Sequence, residues 1–561
     1  MSKFSFRGLE MHSSRMWQWN AICTTLAFMN QVGLNALILH QNDIMDELVM
    51  PSFYFNDSDM VWNRWPIRRS KTYANSVYVS RVVDLAKSLG IDVYLEVKEI
   101  WYPEGILELQ HDLRDTQGVI CPSNPFWFSF LEKKTQEVFD TIPGLAGLIV
   151  SPATRESKVS IATRTCTCNR CKILADESWY KQYIQAVYEP LRVRGKTLVV
   201  RDFSYTIDQQ SALIDAVITC SKNIIMAIKN VPHDFWPTFP HNPRIGNVAG
   251  LRQWIEFDVW GQYAGMGLFP CGLAEDLQTR IQFCYQHGAE GIICRTDWEI
   301  CNDASTFNSF NMLNLFAGAM LSMDPYMDLN QVYQAWTRYG LLSSLHGESE
   351  ALEPVVPSHP DAWIKLRDFM RESWKILEKT LYVRGNVFQL SSKIQYTIDD
   401  IFYTMTKHHS KSNWDKKDEN SLALTPNNIR IILNEKKEAL QRVKQLSSLL
   451  SPCTLGLPEA FVKEIEDLLK LYELYVEQFY HAAHVTFLGV FCEEGGDITD
   501  FQHANQELEL FCERLQEHLT DTHYPYYVYW LLDTKMISHF VQDNSSRIKK
   551  LLERKDGGLH G

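Results

Sequence analysis

Residues 291–297 read GIICRTD. A short apolar run with adjacent β-branched residues that stops abruptly in charge has the form of a parallel strand buried on both faces. Seven earlier runs repeat it, at 6–11 (FRGLEM), 34–40 (LNALILH), 92–100 (DVYLEVKEI), 145–151 (LAGLIVS), 197–202 (TLVVRD), 223–230 (NIIMAIKN) and 254–258 (WIEFD). Between them lie amphipathic stretches of helical period at 16–31, 73–88, 125–141, 179–192, 209–219 and 273–287, and another at 307–323 follows the eighth run. Eight strands joined by connections of helical length predict a (β/α)8 barrel. An open doubly wound sheet fits less well, because no GxGxxG follows the first run and eight is the number that closes a barrel.

Beyond residue 345 the pattern changes. Pro354, Pro357 and Pro360 mark a linker, and apolar residues then recur with helical spacing at 362–381, 386–407, 427–450, 458–488, 501–519 and 526–552. The polar stretch 407–420 reads as a mobile loop. The expected organisation is a catalytic barrel over 1–345 and an all-helical domain over 346–561.

Composition narrows the function. Of 561 residues, 45% are hydrophobic and 12% aromatic, enough to bury a large core and to exclude disorder as the main state. The net charge of −13 and the lack of any Lys/Arg block argue against nucleic acid. Neither a signal-peptide pattern nor an uninterrupted apolar run of about 18 residues occurs, which predicts a cytoplasmic chain without a membrane partner. No HxH pair marks a metallohydrolase, so no cofactor is expected for catalysis.

In a (β/α)8 barrel the site is built just past the strands. Charge is concentrated there: Glu10 and His12; His40, Asn42 and Asp43; Glu96, Lys98 and Glu99; Arg155 and Glu156; Arg201 and Asp202; Lys229 and Asp234; Glu256 and Asp258; Arg295, Asp297 and Glu299. Trp62, Trp65, Trp101, Trp236, Trp260 and Trp298 lie beside them. Carboxylates facing one another across a barrel mouth suit glycoside hydrolysis, in which one acid protonates the leaving oxygen and another activates water or attacks carbon. The plainer reading is that strand-end charges form structural ion pairs and that tryptophans pack in the core.

Two segments raise the specificity: MAIKNVPHDFWPTFPHNPR at 226–244 and WIEFDVWGQYAG at 254–265. Together they resemble the α-glucuronidase family of glycoside hydrolases, and LIVSPATRES at 148–157, VVRDFSY at 199–205 and VGLNALILH at 32–40 extend the likeness. The resemblance implies a single inverting displacement by water at an α-linked glucuronic acid, with Glu156 as general acid and Asp234 and Glu256 on the base side. It also implies that Arg201 and Lys229 pair with the substrate carboxylate. His40, Asn42, Lys98, Arg295, Asp297 and Trp236 complete the expected sugar-binding set. Gln262 stands where the family has a glutamate, and Phe239, Pro240 and His241 replace its Arg-Glu-Pro, which admits another sugar specificity. The competing readings are a glycosidase of the same clan on another glycan, such as an N-acetylhexosaminide, and a non-catalytic carbohydrate-binding barrel. The expected partner is an oligosaccharide or glycoside substrate, with a homo-oligomer allowed.

A separate cluster, Cys166, Cys168 and Cys171 in TRTCTCNRCK, places three thiols on one short turn. That is one ligand short of a closed zinc site, and Cys121 in ICPSNP is a candidate fourth. The cluster reads either as a structural zinc site or as reduced loop thiols.

Overall fold

A computed structural model describes residues 3–557 except 56–64, 116, 153, 346–352, 419 and 451–454. Trp62 and the domain boundary expected at 345–346 therefore fall at or beyond the edge of the described residues. Eight parallel strands close into a barrel: β1 (Phe6–Met11), β2 (Ala36–His40), β3 (Asp92–Lys98), β4 (Gly147–Ser151), β5 (Thr197–Arg201), β6 (Ile225–Lys229), β7 (Arg252–Asp258) and β8 (Gly291–Arg295). β1 pairs with both β2 and β8, for example Gly8 with Ala36 and Phe6 with Gly291, which closes the ring.

Period-2 alternation sorts each strand. Phe6, Ala36, Ile38, Tyr94, Ile149, Val199, Ile225, Ala227, Trp254 and Ile293 form one apolar cluster that fills the lower lumen. Phe6 stacks on Trp254 at 3.4 Å between ring centroids, and Tyr94 meets both rings edge-on. These large rings need small neighbours: a Cβ on Gly147 would lie 2.3 Å from the Thr197 carbonyl oxygen and 2.8 Å from the Tyr94 ring. Continuing the same parity upward reaches Glu10, His40, Glu96, Arg201 and Glu256, so an apolar floor gives way to a charged layer.

Helices cover the barrel where the sequence predicts them, and none is predicted between the sixth and seventh strands. The β6 to β7 connection, residues 230–251, contains no helix. Pro232, Pro237, Pro240 and Pro243 fall within it, and proline interrupts the helical hydrogen-bond ladder. The irregular segment is held instead by Asn242, whose Nδ2 donates to the carbonyls of Lys229 and Val231 at 3.1 and 3.3 Å.

The C-terminal region is helical, with helices Ala362–Leu381, Pro426–Leu449, Glu459–Glu493, Ile498–Asp521, Tyr526–Leu531 and Thr534–Gly557. Three expectations are corrected. The helix expected at 386–407 is replaced by a hairpin pairing Tyr382–Val383 with Asn386–Val387, followed by irregular chain and a short helix at Ile398–Tyr403. Arg384 and Gly385 both have positive φ, 49° and 79°, the requirement of a type I′ turn, and Ser391 and Ser392 are left-handed as well. The helix expected at 526–552 is split at Asp533, whose carboxylate accepts from the Lys535 and Met536 amides and starts a new helix. The stretch 407–420, expected as a loop, contains short helical turns, and its His409 and Ser410 are buried.

One hydrophobic cluster runs from the barrel's outer shell through these helices. Polar ties reinforce the contact: Tyr382 Oη donates to the Tyr263 carbonyl at 2.7 Å, Ser392 Oγ to that of Gln262 at 2.8 Å, and the Gly272 amide to Ser373 Oγ at 3.1 Å. No described helix is long and apolar enough to cross a membrane.

Candidate active site

The C-terminal ends of the strands open into a cavity of about 220 Å³. Its walls carry four cations, Lys98, Arg201, Lys229 and Arg295, and three carboxylates, Glu156, Asp234 and Glu299. Phe203, Tyr205, Phe235, Tyr263 and Trp298 supply apolar surface. An adjoining cavity of about 290 Å³ shares His12, His40 and Glu299 with it and is lined further by Asn42 and Trp101.

Beneath the cavity the charged layer is closely interlocked. Arg201 Nε donates to both oxygens of Glu256, at 2.8 and 2.9 Å, and lies 3.2 Å from Glu96 Oε1. His40 Nδ1 is 2.7 Å from Glu10 Oε1 and 3.4 Å from Glu96 Oε1, and its ring stacks on His12 at 3.5 Å between centroids. Burial pushes Glu10 up to about 7 and Glu96 well above the usual carboxylate range. Burial also disfavours the charge on Arg201, but Glu256, Glu96 and Glu10 together outweigh it and hold the guanidinium above its ordinary value. The layer therefore keeps its arginines charged while two of its acids hold protons more tightly than in water. Arg201 Nη1 is buried without a partner among the protein's own atoms, as is His40 Nε2.

The rim is different. Lys98 Nζ donates to Glu156, which is 42% exposed and sits in the loop after β4. That loop is tied back by Glu99, whose oxygens accept from Ser160 Oγ at 2.8 Å and Thr154 Oγ1 at 3.5 Å; Thr154 Oγ1 in turn accepts from the Glu156 amide at 3.2 Å. Across the mouth, Lys229 Nζ donates to Asp234 Oδ1 at 3.2 Å and stands 3.8 Å from the Phe203 ring centroid. Burial would raise the Asp234 carboxyl, but Lys229, His233 and His409 hold it well below the usual range. Its φ of 45° is left-handed, a conformation aspartate tolerates better than most residues and one found where structure over-determines a site. Glu299 is treated alike: burial opposes its charge, and His12, whose Nε2 lies 2.8 Å away, together with Lys98 and Arg295, keeps it ionised. Burial lowers His12 to about 4 despite Glu299.

The residues singled out from sequence are thus sorted by depth. Glu156, Asp234, His40, Lys98, Arg201, Lys229 and Arg295 line the main cavity, and Asn42 lines the adjoining one. Glu256 lines neither: it is 1% exposed and both its oxygens are engaged by Arg201, so it positions the guanidinium. Asp297, expected to bind sugar, is fully buried and ties β8 to β1 through the His12 amide, Ser13 Oγ at 2.8 Å and Arg15 Nη1 at 3.2 Å. Trp236, expected as a sugar platform, is buried against Tyr263 and His409; Trp298 lines the cavity instead.

Sequence reasoning passed over Ser391, His408 and His409, which reach the cavity from the C-terminal region. His233 Nε2 is 3.0 Å from His409 Nδ1, joining the barrel to that region beside Asp234. The only sequence signal was the adjacent histidine pair in KHHSK, within a stretch expected to be a loop. Two side-chain groups here have the composition of metal sites, Glu10 with His12 and His40, and His233 with Asp234 and His409. Both are already threaded by the ion pairs above and flanked by lysine or arginine cations, which oppose a metal ion.

No protein-family model matches the chain, and no curated protein matches it. Solved structures share its fold. A GH138 enzyme targeting pectin rhamnogalacturonan II superposes with a TM-score of 0.60 at 13% identity, covering 92% of this chain and 62% of that one. The chain thus spans less than two thirds of that enzyme's length. A family GH115 4-O-methyl-α-glucuronidase with specificity for decorated arabinogalactans gives a TM-score of 0.42 at 9% identity, covering 91% and 58% of the two chains. A mutant O-GlcNAc hydrolase of Thermobaculum terrenum gives 0.41 at 13% identity, covering 99% and 97%.

Proposed function

We propose that the protein is a glycoside hydrolase that removes an acidic sugar from the end of a glycan by inverting acid/base catalysis. What supports the reading most is one arrangement: Glu156 and Asp234, from different strand ends, line one cavity together with Arg201, whose buried Nη1 has no partner among the protein's own atoms. A buried guanidinium N–H without a partner costs free energy that a ligand carboxylate recovers, and Arg offers the planar fork for it.

Roles follow from electrostatics. Asp234 and Glu299 are held ionised, so neither serves as proton donor near neutral pH. The donor role falls to Glu156, exposed at the rim where a leaving group exits, and substrate binding displaces its contact with Lys98. Asp234, fixed by Lys229, accepts the proton of the attacking water. Inversion requires a gap of about 6.5–9.5 Å between the two carboxyls to admit that water. Arg201 and Arg295 hold the sugar carboxylate, while Phe203, Tyr205 and Tyr263 meet the apolar faces of the ring. The GH138 likeness supports the barrel as a glycosidase scaffold and leaves the sugar to the site's own chemistry.

The test is turnover on a panel of α- and β-linked uronides and neutral or N-acetylated counterparts, with the anomer of the first product followed by NMR. Release of a uronic acid with inverted configuration is expected. Preference for an N-acetylhexosaminide, or retention, overturns the assignment.

A further inference from the structure

We propose that Cys121, Cys166, Cys168 and Cys171 form a structural Zn²⁺ site that clips the loop after β3 to the loop carrying Glu156. The four sulfurs come from two chain segments and lie within 4.8 Å of one another, with Cys121 Sγ 3.6 Å from both Cys168 Sγ and Cys171 Sγ. Four thiolates about 2.3 Å from a tetrahedral zinc ion stand about 3.8 Å apart, close to this spacing, whereas a disulfide needs about 2.05 Å. Three of the four residues are buried, and together they form a small cluster of their own, separate from the main core.

The surroundings have the features of a ligand shell. The Cys171 amide donates to Cys168 Sγ at 3.4 Å, and Ser123 Oγ lies 3.1 Å from both Cys121 Sγ and Cys171 Sγ. Such contacts orient and stabilise metal-bound thiolates. Val119 and the four cysteines make up the apolar cluster. Neighbouring backbone is anchored, since Trp127 Nε1 donates to the Cys121 carbonyl at 3.1 Å and Trp179 Nε1 to that of Pro122 at 2.9 Å. With four protein thiolates the coordination sphere is closed, which assigns a structural and not a hydrolytic role.

The placement gives the site its purpose. Glu156 lies ten residues before Cys166 in the same loop. The Glu99 hydrogen bonds to Thr154 and Ser160 hold the near end of that loop, and the metal holds the far end. The inference about the metal stands independently of the sugar, because its readouts are metal content, spectra and loop order.

Elemental analysis of the untagged full-length protein, produced with zinc and purified under reducing conditions, is expected to find about one zinc per chain. Cobalt(II) added to the metal-free protein is expected to produce a thiolate charge-transfer band and the intense visible bands of a tetrahedral site. Cys168→Ser should weaken zinc retention more than about tenfold against a chromogenic chelator. Chelation should accelerate proteolytic cleavage between residues 152 and 175 in the wild type. Substoichiometric zinc with free reactive thiols at all four positions, or pairing of the four into disulfides, overturns the proposal. The cobalt spectrum of the wild type decides the matter even if the serine variant fails to fold.

Discussion

The lumen and the rim of this barrel hold similar numbers of carboxylates, yet the fold uses them in opposite ways. Below, Glu10, Glu96 and Glu256 are at most 1% exposed, Glu96 and Glu256 held by Arg201 and Glu10 by His40; above, Glu156 and Glu299 are about 40% exposed, Glu156 paired with Lys98 and Glu299 with His12 and Lys98. A buried acid held by fixed neighbours stabilises a geometry, whereas one that faces a cavity can exchange its partner for a substrate. Depth, and not identity, separates the carboxylates of the buried layer from those that line the cavity.

That contrast is broken most directly at the rim. Glu156→Gln and Asp234→Asn should each lower kcat about 10²- to 10⁴-fold on the cognate glycoside, with unfolding curves close to wild type. Loss of stability with kcat intact would place both among the supporting groups. In the lumen the reverse is expected. Glu256→Ala leaves Arg201 short of its main partner and should cost about 3–5 kcal/mol in urea unfolding. If Glu256 instead activates water, the milder Glu256→Gln would abolish turnover while leaving stability almost untouched.

The junction with the C-terminal region carries a pH signature. Burial, reinforced by His233 and His408 and opposed by Asp234, lowers His409 to about 3. As pH falls below about 6.5 the unfolded chain takes up a proton that folded His409 refuses, so stability present above that pH is lost towards pH 3. The loss should reach about 2 kcal/mol at pH 5, measured by denaturant unfolding, and His409→Gln should remove it. The smallest effect is expected at Glu299. As a binding group held by His12, its change to Gln should alter kcat by less than about tenfold and act mainly on KM. A loss as large as that of Asp234→Asn would make Glu299 the base.

Most of the barrel was legible in sequence because each parallel strand is buried on both faces and announces itself as an apolar run ending in charge. Strand β1 matches its expected bounds at both ends, and the other seven overlap theirs. The connection between β6 and β7, for which no helix was expected, carries four prolines. In the C-terminal region, helical period over-read 386–407, since a turn of Arg384 and Gly385 between strands of two residues leaves too short a pattern to register. The lining of the cavity was partly legible. Glu156, Asp234 and the four cations were marked by position and by motif likeness. Asp297 and Trp236 were drawn in because strand-end spacing says nothing of how far the chain bends away after the strand.

The amino-acid sequence by itself determined the eight strands, the helical region that follows and the residue types gathered at the barrel mouth, because burial on a strand or a helix face is a local, periodic demand. Only the tertiary structure decided that Glu256 lies under Arg201, that His409 meets His233 from 176 residues away, and that Cys121 joins Cys166, Cys168 and Cys171. Those relations depend on which chain segments converge and how deep each side chain lies, and neither quantity has a period along the chain.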